Sequence, residues 1–389
     1  MLSSDPTPTR PLAGFKYFEQ LDGLLTRLRP AGTDRDTAGN RQLFFDQYAL
    51  LLLLYFFNPA VTTLRGVRPF TTLDKVQRVL GVRSTSLGSL SEAARVFDPA
   101  LLEPIVAELA QRALAQPDAR PPAERAALAG LTAVDGSLLP ALPRMAWALW
   151  QDATHRAAKV HVAFAVWPGT PIRATVTDGN SSERDELRRM AKPGEFYVLD
   201  RGYVEYDLCR ELDAAGARFV QRVQDNAVWE VASENPLTDA DRAAGVVRDL
   251  NIRRLGTDKH NPLLKSPLRV VETQGQRPGD RWVLVTNART LSADLVVTAY
   301  RYRWQVELFF RWLKCILGCR HLLAENRAGV TLQVYLAIIA SLLIGLWTGA
   351  KPTKRTYEML CHYLNGWDSA DEVEQHLKTL KDKTGPPSK

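Results

Sequence analysis

The feature that most constrains this chain is a change of hydrophobic period near residue 128. Before it, apolar residues recur at helical spacing, as in Gln42 to Phe57 and in Thr72 to Leu80 (TLDKVQRVL). After it, short β-branched and aromatic runs take over: Leu128 to Leu138 (LAGLTAVDGSL), Val160 to Val166, Ile172 to Thr177, Glu195 to Leu199 and Ala217 to Val223. Helical stretches, Ser182 to Met190 and Glu205 to Ala215, lie between the later runs. Consecutive strands followed by alternating helices and strands predict an α/β core with a mixed sheet. Residues 225–288 interrupt it with short β-like pieces between polar loops (Val228 to Val231, Leu268 to Thr273, Trp282 to Thr286), which reads as a β-rich insertion. Asp294 to about Leu317 predicts one long helix. The expected organisation is a helical N-terminal region over 1–125, an α/β domain over 126–350, and a helical tail over 351–389.

The first 125 residues have few chemical signals. Pro6 to Pro11 reads as a loose arm, and Asn58-Pro59 ends a central helix. Gly81 suits a C-terminal cap, and Ser84 to Ser86 could cap a following helix through Phe97. Helix, short turn and helix fits a helix-turn-helix, and it fits an ordinary helical hairpin equally well. Pro117, Pro121 and Pro122 mark a boundary.

Composition narrows the class. A formal charge of +7 and a pI near 9.2 favour an anionic partner such as nucleic acid. Four cysteines are too few for a disulfide framework. The start, MLSSDPTPTR, lacks the apolar segment of a signal peptide. Val330 to Trp347 reaches the minimum length of a membrane span, but Gln333, Tyr335 and Ser341 within it favour a buried core helix.

The helix after Asp294 carries the chemistry. At about 100° per residue, Tyr300, Arg303, Glu307, Arg311 and Lys314 fall within about 40° of Glu307. Tyr302, Val306, Leu308, Phe309, Trp312, Leu313 and Ile316 fall on the opposite side. Arg303–Glu307 and Glu307–Arg311 are i,i+4 pairs, so a solvated face with ordinary salt bridges accounts for them. A metal-binding acid flanked by phosphate-gripping cations accounts for them as well. Asp135 ends or interrupts an apolar strand before Gly136 and Ser137; Asp200 ends another before Arg201, Gly202 and Tyr203. A carboxylate at a strand end, next to glycine, is either a turn residue or an acid held at a cleft. These two acids together with Glu307 suit two-metal phosphodiester chemistry, in which hard oxygen ligands hold Mg²⁺ ions about 4 Å apart.

At these residues the chain resembles a DDE transposase of the insertion-sequence-4 type. Tyr300, Arg303, Glu307 and Lys314 satisfy the Y-x2-R-x3-E-x6-K signature, and V-D-G-S at Val134 to Ser137 and L-D-R-G-Y at Leu199 to Tyr203 also match. The match spans about Leu128 to Leu346. The resemblance implies a ribonuclease-H-like core in which Asp135, Asp200 and Glu307 are catalytic and bind Mg²⁺, with Mn²⁺ as a substitute. It implies that Tyr300, Arg303 and Lys314 contact DNA phosphates. Trp282 matches a tryptophan that stacks on an extruded base in relatives; a core position on a strand is the other reading. The implied activity is cut-and-paste transposition on double-stranded DNA (element ends and target), by a synaptic homodimer acting in the bacterial cytoplasm. A metal-dependent nuclease without strand transfer, and an inactive DNA-binding regulator, are the alternatives.

Other chemistries find less support. Cys315 and Cys319 lie at helical i,i+4 spacing near His321, with Cys361 and His362 further on, but no C-x2-C pair occurs, so packing cysteines are expected. There is no P-loop and no glycine-rich pyrophosphate loop. Arg184, Arg188 and Arg189 are either a DNA patch or a solvated face.

Overall fold

Among the described residues the strand signals after residue 128 resolve into one ten-stranded sheet, counting the unnumbered two-residue strand Leu149–Trp150. The computed structural model describes residues 19–33, 41–116, 120–275, 279–349 and 353–384. The expected N-terminal arm, Pro117 and the tail from Gly385 lie outside them. Contacts divide the chain into two units: Met1–Ala113 with Trp312–Lys389, and Leu114–Arg311.

The second unit begins with β1 (Leu131–Ala141), β2 (Asp152–Ala165) and β3 (Thr170–Asp178) as an antiparallel meander. A helix, Glu183–Met190, leads into β4 (Phe196–Leu199), and another, Tyr206–Ala214, into β5 (Arg218–Arg222). β4 runs parallel to both β1 and β5. The order β3-β2-β1-β4-β5, with only β2 reversed, is the ribonuclease-H-like arrangement. β1 and β4 are central and buried on both faces, hence their apolar runs Leu131–Val134 and Phe196–Leu199.

The insertion does not fold as a separate body. β6 (Trp229–Glu234), β7 (Val246–Leu255), β8 (Leu268–Gln274) and β9 (Arg281–Thr286) extend the same sheet, because β9 pairs antiparallel with β5. β7 has no counterpart in the sequence reading. Its run VVRDLNIRRL is interrupted by charges, and one of them, Asp249, is buried. That burial is sustained by Arg269 on β8, whose Nε and Nη2 donate to Asp249 at 3.2 and 2.6 Å. The same guanidinium donates to the carbonyls of Ala288 and Leu291, so it is satisfied on several sides.

The first unit is helical. Phe45–Phe56, Leu87–Val96 and the 22-residue Arg327–Thr348 pack together. Arg327–Thr348 is long and apolar enough to cross a membrane by length and composition, but 83% of its most apolar window is buried within the protein. Gln333, an anomaly in an apolar helix, is satisfied there: its amide donates to the His321 carbonyl and accepts from the Leu323 N–H. The helix belongs by contacts to this unit, whereas the sequence reading assigned it to the end of the α/β domain. Asp74–Leu80 ends at Gly81, which takes the left-handed conformation a C-cap needs (φ 62°), and Ser86 caps Leu87–Val96 by accepting from the Ser89 N–H. Cys209, Cys315, Cys319 and Cys361 are all free thiols.

Candidate active site

Strand pairing brings the two aspartates near each other. β1 and β4 are parallel with Leu131 beside Phe196 and Ala133 beside Val198. Asp135 lies four residues beyond Leu131, and Asp200 four beyond Phe196. The pairing ends two residues short of each acid, and the two carboxyls are near enough for Asp200 to act on Asp135. Each is fixed by the backbone that follows it. Asp135 Oδ1 accepts from the Gly136 N–H at 2.8 Å, and Asp200 Oδ1 from the Gly202 N–H at 2.8 Å.

Their charges conflict. The Asp135 carboxyl is pushed up to about 7, first by burial and then by the neighbouring Asp200 carboxylate; Arg303 opposes the rise. Arg303 comes from the helical segment that the sequence reading drew as one long helix. In the structure it is two, Ala293–Tyr302 and Trp304–Arg311, followed directly by a π-helical turn, Trp312–Ile316. The junction is tightened to i→i+3: the Arg303 N–H donates to the Tyr300 carbonyl, and the Val306 N–H to the Arg303 carbonyl. A single 100° wheel does not hold across such a junction, and Leu308, assigned to the apolar side, is exposed. Trp304–Arg311 packs on β1, with Phe309 against Phe164 of β2 at 5.3 Å between centroids.

Arg303 Nη2 donates to Glu307 Oε1 at 2.6 Å, and its guanidinium lies 5.9 Å from the Tyr300 ring centroid. It also feels the charge of Asp200. Thus Asp135, Asp200, Tyr300 and Glu307 all interact with the Arg303 guanidinium. Lys314 stands on the π-helical turn, in the other unit. Trp282 is buried on β9 with its ring edge-on to Tyr300 at 5.1 Å and Arg222 over its face at 5.5 Å. A cavity of about 240 Å³ opens beside them, lined by Arg222, Arg301, Arg303, Trp282, Tyr300, Trp304 and Asp280. Three guanidiniums and three aromatic rings suit a phosphate next to a base.

Several participants escaped the sequence reading. Arg222 and Arg301 carried no motif signal, and Trp304, half exposed at the cavity, looked like part of an amphipathic helix. Glu183 reads from sequence as a first-turn acid favoured by the helix dipole. Arg188 is committed to Glu205, Glu211 and Asp185, which favours the solvated-face reading of its helix.

The donor set suits a divalent cation. Two hard carboxylates are forced together by adjacent strands, and burial raises one of them; a cation between them would relieve both effects. Among the described residues no three His, Cys, Asp or Glu side chains converge as a ready metal cage. Glu307 is held by Arg303, and Glu183 by Lys159.

The sequence matches the family described as transposase DDE domain over residues 127–343, more than half of the chain. The chain belongs to this family. Among curated proteins it is 31% identical over 215 residues to the putative transposase y4zB of Sinorhizobium fredii, an alignment covering 55% of this chain and 60% of that protein. It is 26% identical over 213 residues to a probable transposase for insertion sequence element IS5377 of Geobacillus stearothermophilus, covering 55% of each. The chain thus spans little more than half the length of these relatives. Among solved structures, a piggyBac transposase synaptic complex with hairpin DNA aligns with TM-score 0.41 and 12% identity, over 97% of this chain and 86% of that one. That likeness is too distant to carry an argument.

Proposed function

We propose that this protein is a cut-and-paste transposase of the insertion-sequence-4 type. In this reading it binds the terminal inverted repeats of a mobile element, cleaves the DNA at the element ends, and joins the 3′-hydroxyls to a target. The observation that carries the reading is the parallel pairing of β1 with β4, which brings Asp135 and the Asp200 that follows β4 within electrostatic reach of each other, with the Arg303–Glu307 helix packed on β1. Membership of the transposase DDE domain family supports it.

The chain's own groups divide the work. Asp135, Asp200 and Glu307 are the residues to hold Mg²⁺ or Mn²⁺, whose chemistry there is activation of a water or 3′-hydroxyl and neutralisation of the leaving oxygen. Glu307 takes that role when Arg303 turns from it to a DNA phosphate, exchanging one carboxylate partner for a phosphate. Tyr300 and Arg303 grip the backbone beside the scissile bond, and Lys314 adds a phosphate contact. Trp282 lends an aromatic face to a base at the cavity. The helices of residues 1–125 supply DNA binding, the α/β domain over 126–350 supplies chemistry, and the protein acts as a homodimer on DNA in the bacterial cytoplasm.

The test uses duplexes carrying the inverted repeats that flank the gene, incubated with the full chain and Mg²⁺. Joined products are expected. Cleavage without joining would indicate a nuclease, and end binding without cleavage a regulator. Asp135→Asn, Asp200→Asn and Glu307→Gln should each lower cleavage by at least about 100-fold while leaving end binding in a mobility-shift assay within a few fold. Wild-type cleavage by all three variants would sink the assignment.

A further inference from the structure

Glu183 does more than begin a helix. It follows the N-cap Ser182, and its side chain reaches over both glycines that succeed the aspartates. A methyl group placed on Gly136 would lie 2.8 Å from Glu183 Oε1, and one on Gly202 3.4 Å from Oε2. The carboxylate therefore spans Gly136 within β1 and Gly202 after β4, one oxygen toward each. A larger residue at position 136 would push the Glu183 carboxylate aside. Lys159 Nζ approaches Oε1 at 3.5 Å and also donates to the Ser181 carbonyl at 2.9 Å, which fixes the helix start. Arg184 Nε donates to the Gly202 carbonyl at 3.2 Å, tying the same helix to the turn after Asp200.

A second, independent feature points into this cluster. Tyr203, on the turn Arg201–Tyr203, is fully buried, and its hydroxyl has no hydrogen-bond partner among the described residues. Its phenol lies within the electrostatic reach of Asp135, Glu183 and Asp200, a hydrogen-bond donor amid three acids. A buried, unpartnered donor is expensive to leave, and Asp135, Glu183 and Asp200 all act on this one.

Resting on the metal reading above, we infer that Glu183 is a fourth acid of the site, helping Asp135 and Asp200 to hold a hydrated divalent cation, directly or through a water that Tyr203 also contacts. Lys159 balances its charge while the cation is away.

The experiment is Mn²⁺ binding to the full chain, by calorimetry and by the paramagnetic resonance signal of free Mn²⁺. Thermal melting of each variant checks its fold. Glu183→Gln should weaken Mn²⁺ binding at least about fivefold. Lys159→Met breaks the same ion pair but keeps the acid, and should leave binding unchanged or tighter. If Glu183→Gln unfolds, Glu183→Asp, which withdraws the carboxylate by one methylene, carries the same expectation. A loss under fivefold, or equal loss in Glu183→Gln and Lys159→Met, overturns the inference. Asp135→Asn separates the two levels. If it binds Mn²⁺ like the wild type, the metal reading fails and takes this inference with it. If it binds weakly while Glu183→Gln does not, only the role of Glu183 is lost.

Discussion

At the scale of single residues, environment decides chemistry. Asp135 lies within β1 and Asp200 directly follows β4, and burial pushes the Asp135 carboxyl up to about 7. His161 shows the same logic away from the reacting groups. It is fully buried beside Gly136, with Nε2 2.9 Å from Thr177 Oγ1 and Nδ1 without a partner among the described residues. Burial first, and then the charges of Lys159 and Arg189 over the opposing Asp178, depress its pKa to about 4. The unfolded chain, with a histidine near 6.5, binds the proton first as pH falls. This contribution to stability is therefore complete above about pH 6.5 and is lost as pH falls toward about 4. Calorimetric melting between pH 4 and 7 should show a falling Tm whose slope is shallower in His161→Asn. Equal slopes in both proteins would contradict the assignment.

At the scale of elements, caps and apolar runs were readable and charged strands were not. Gly81 and Ser86 perform the capping their positions predict, because caps depend on local backbone alone. β7 was invisible because its buried Asp249 is tolerable only with Arg269 of another strand against it. That pair makes a sharp prediction. Asp249→Ala leaves a buried guanidinium without its carboxylate and should destabilise the protein by about 3–5 kcal/mol, measured by denaturant melting. A loss below about 1 kcal/mol would show that the backbone carbonyls alone satisfy Arg269. The helix junction at Arg303 was likewise unreadable, since no proline or glycine marks it. Tyr300, Arg303 and Glu307 are still neighbours, as their spacing expects, because they lie within about two turns and small errors in angle do not separate them.

At the scale of the whole molecule, the chain leaves its first unit, builds the sheet, and returns. Trp312–Lys389 supplies the first unit with Arg327–Thr348, against which Phe45–Phe56 and Leu87–Val96 pack. Tyr357 donates to the Phe56 carbonyl at 2.6 Å, and Tyr335 to Glu103 at 3.1 Å. A chain ending at Arg311 would expose the apolar faces of those helices. It should aggregate on size exclusion and bind a hydrophobic dye, whereas the full chain should do neither. A monodisperse truncated chain would show that residues 41–113 hold their core unaided.

The sequence by itself determined the α/β class, the order of most strands, the apolar character of the central helix and the spacing of Tyr300, Arg303, Glu307 and Lys314. These follow from periodicity and from local chemistry, which act over a few residues. Folding in three dimensions makes the insertion continue the sheet, brings Asp200 within electrostatic reach of Asp135, and carries Glu183 over Gly136 and Gly202. Each of these depends on strand pairing or close approach between distant segments. Register is set by hydrogen bonds and burial summed along whole strands, so no single motif could reveal it.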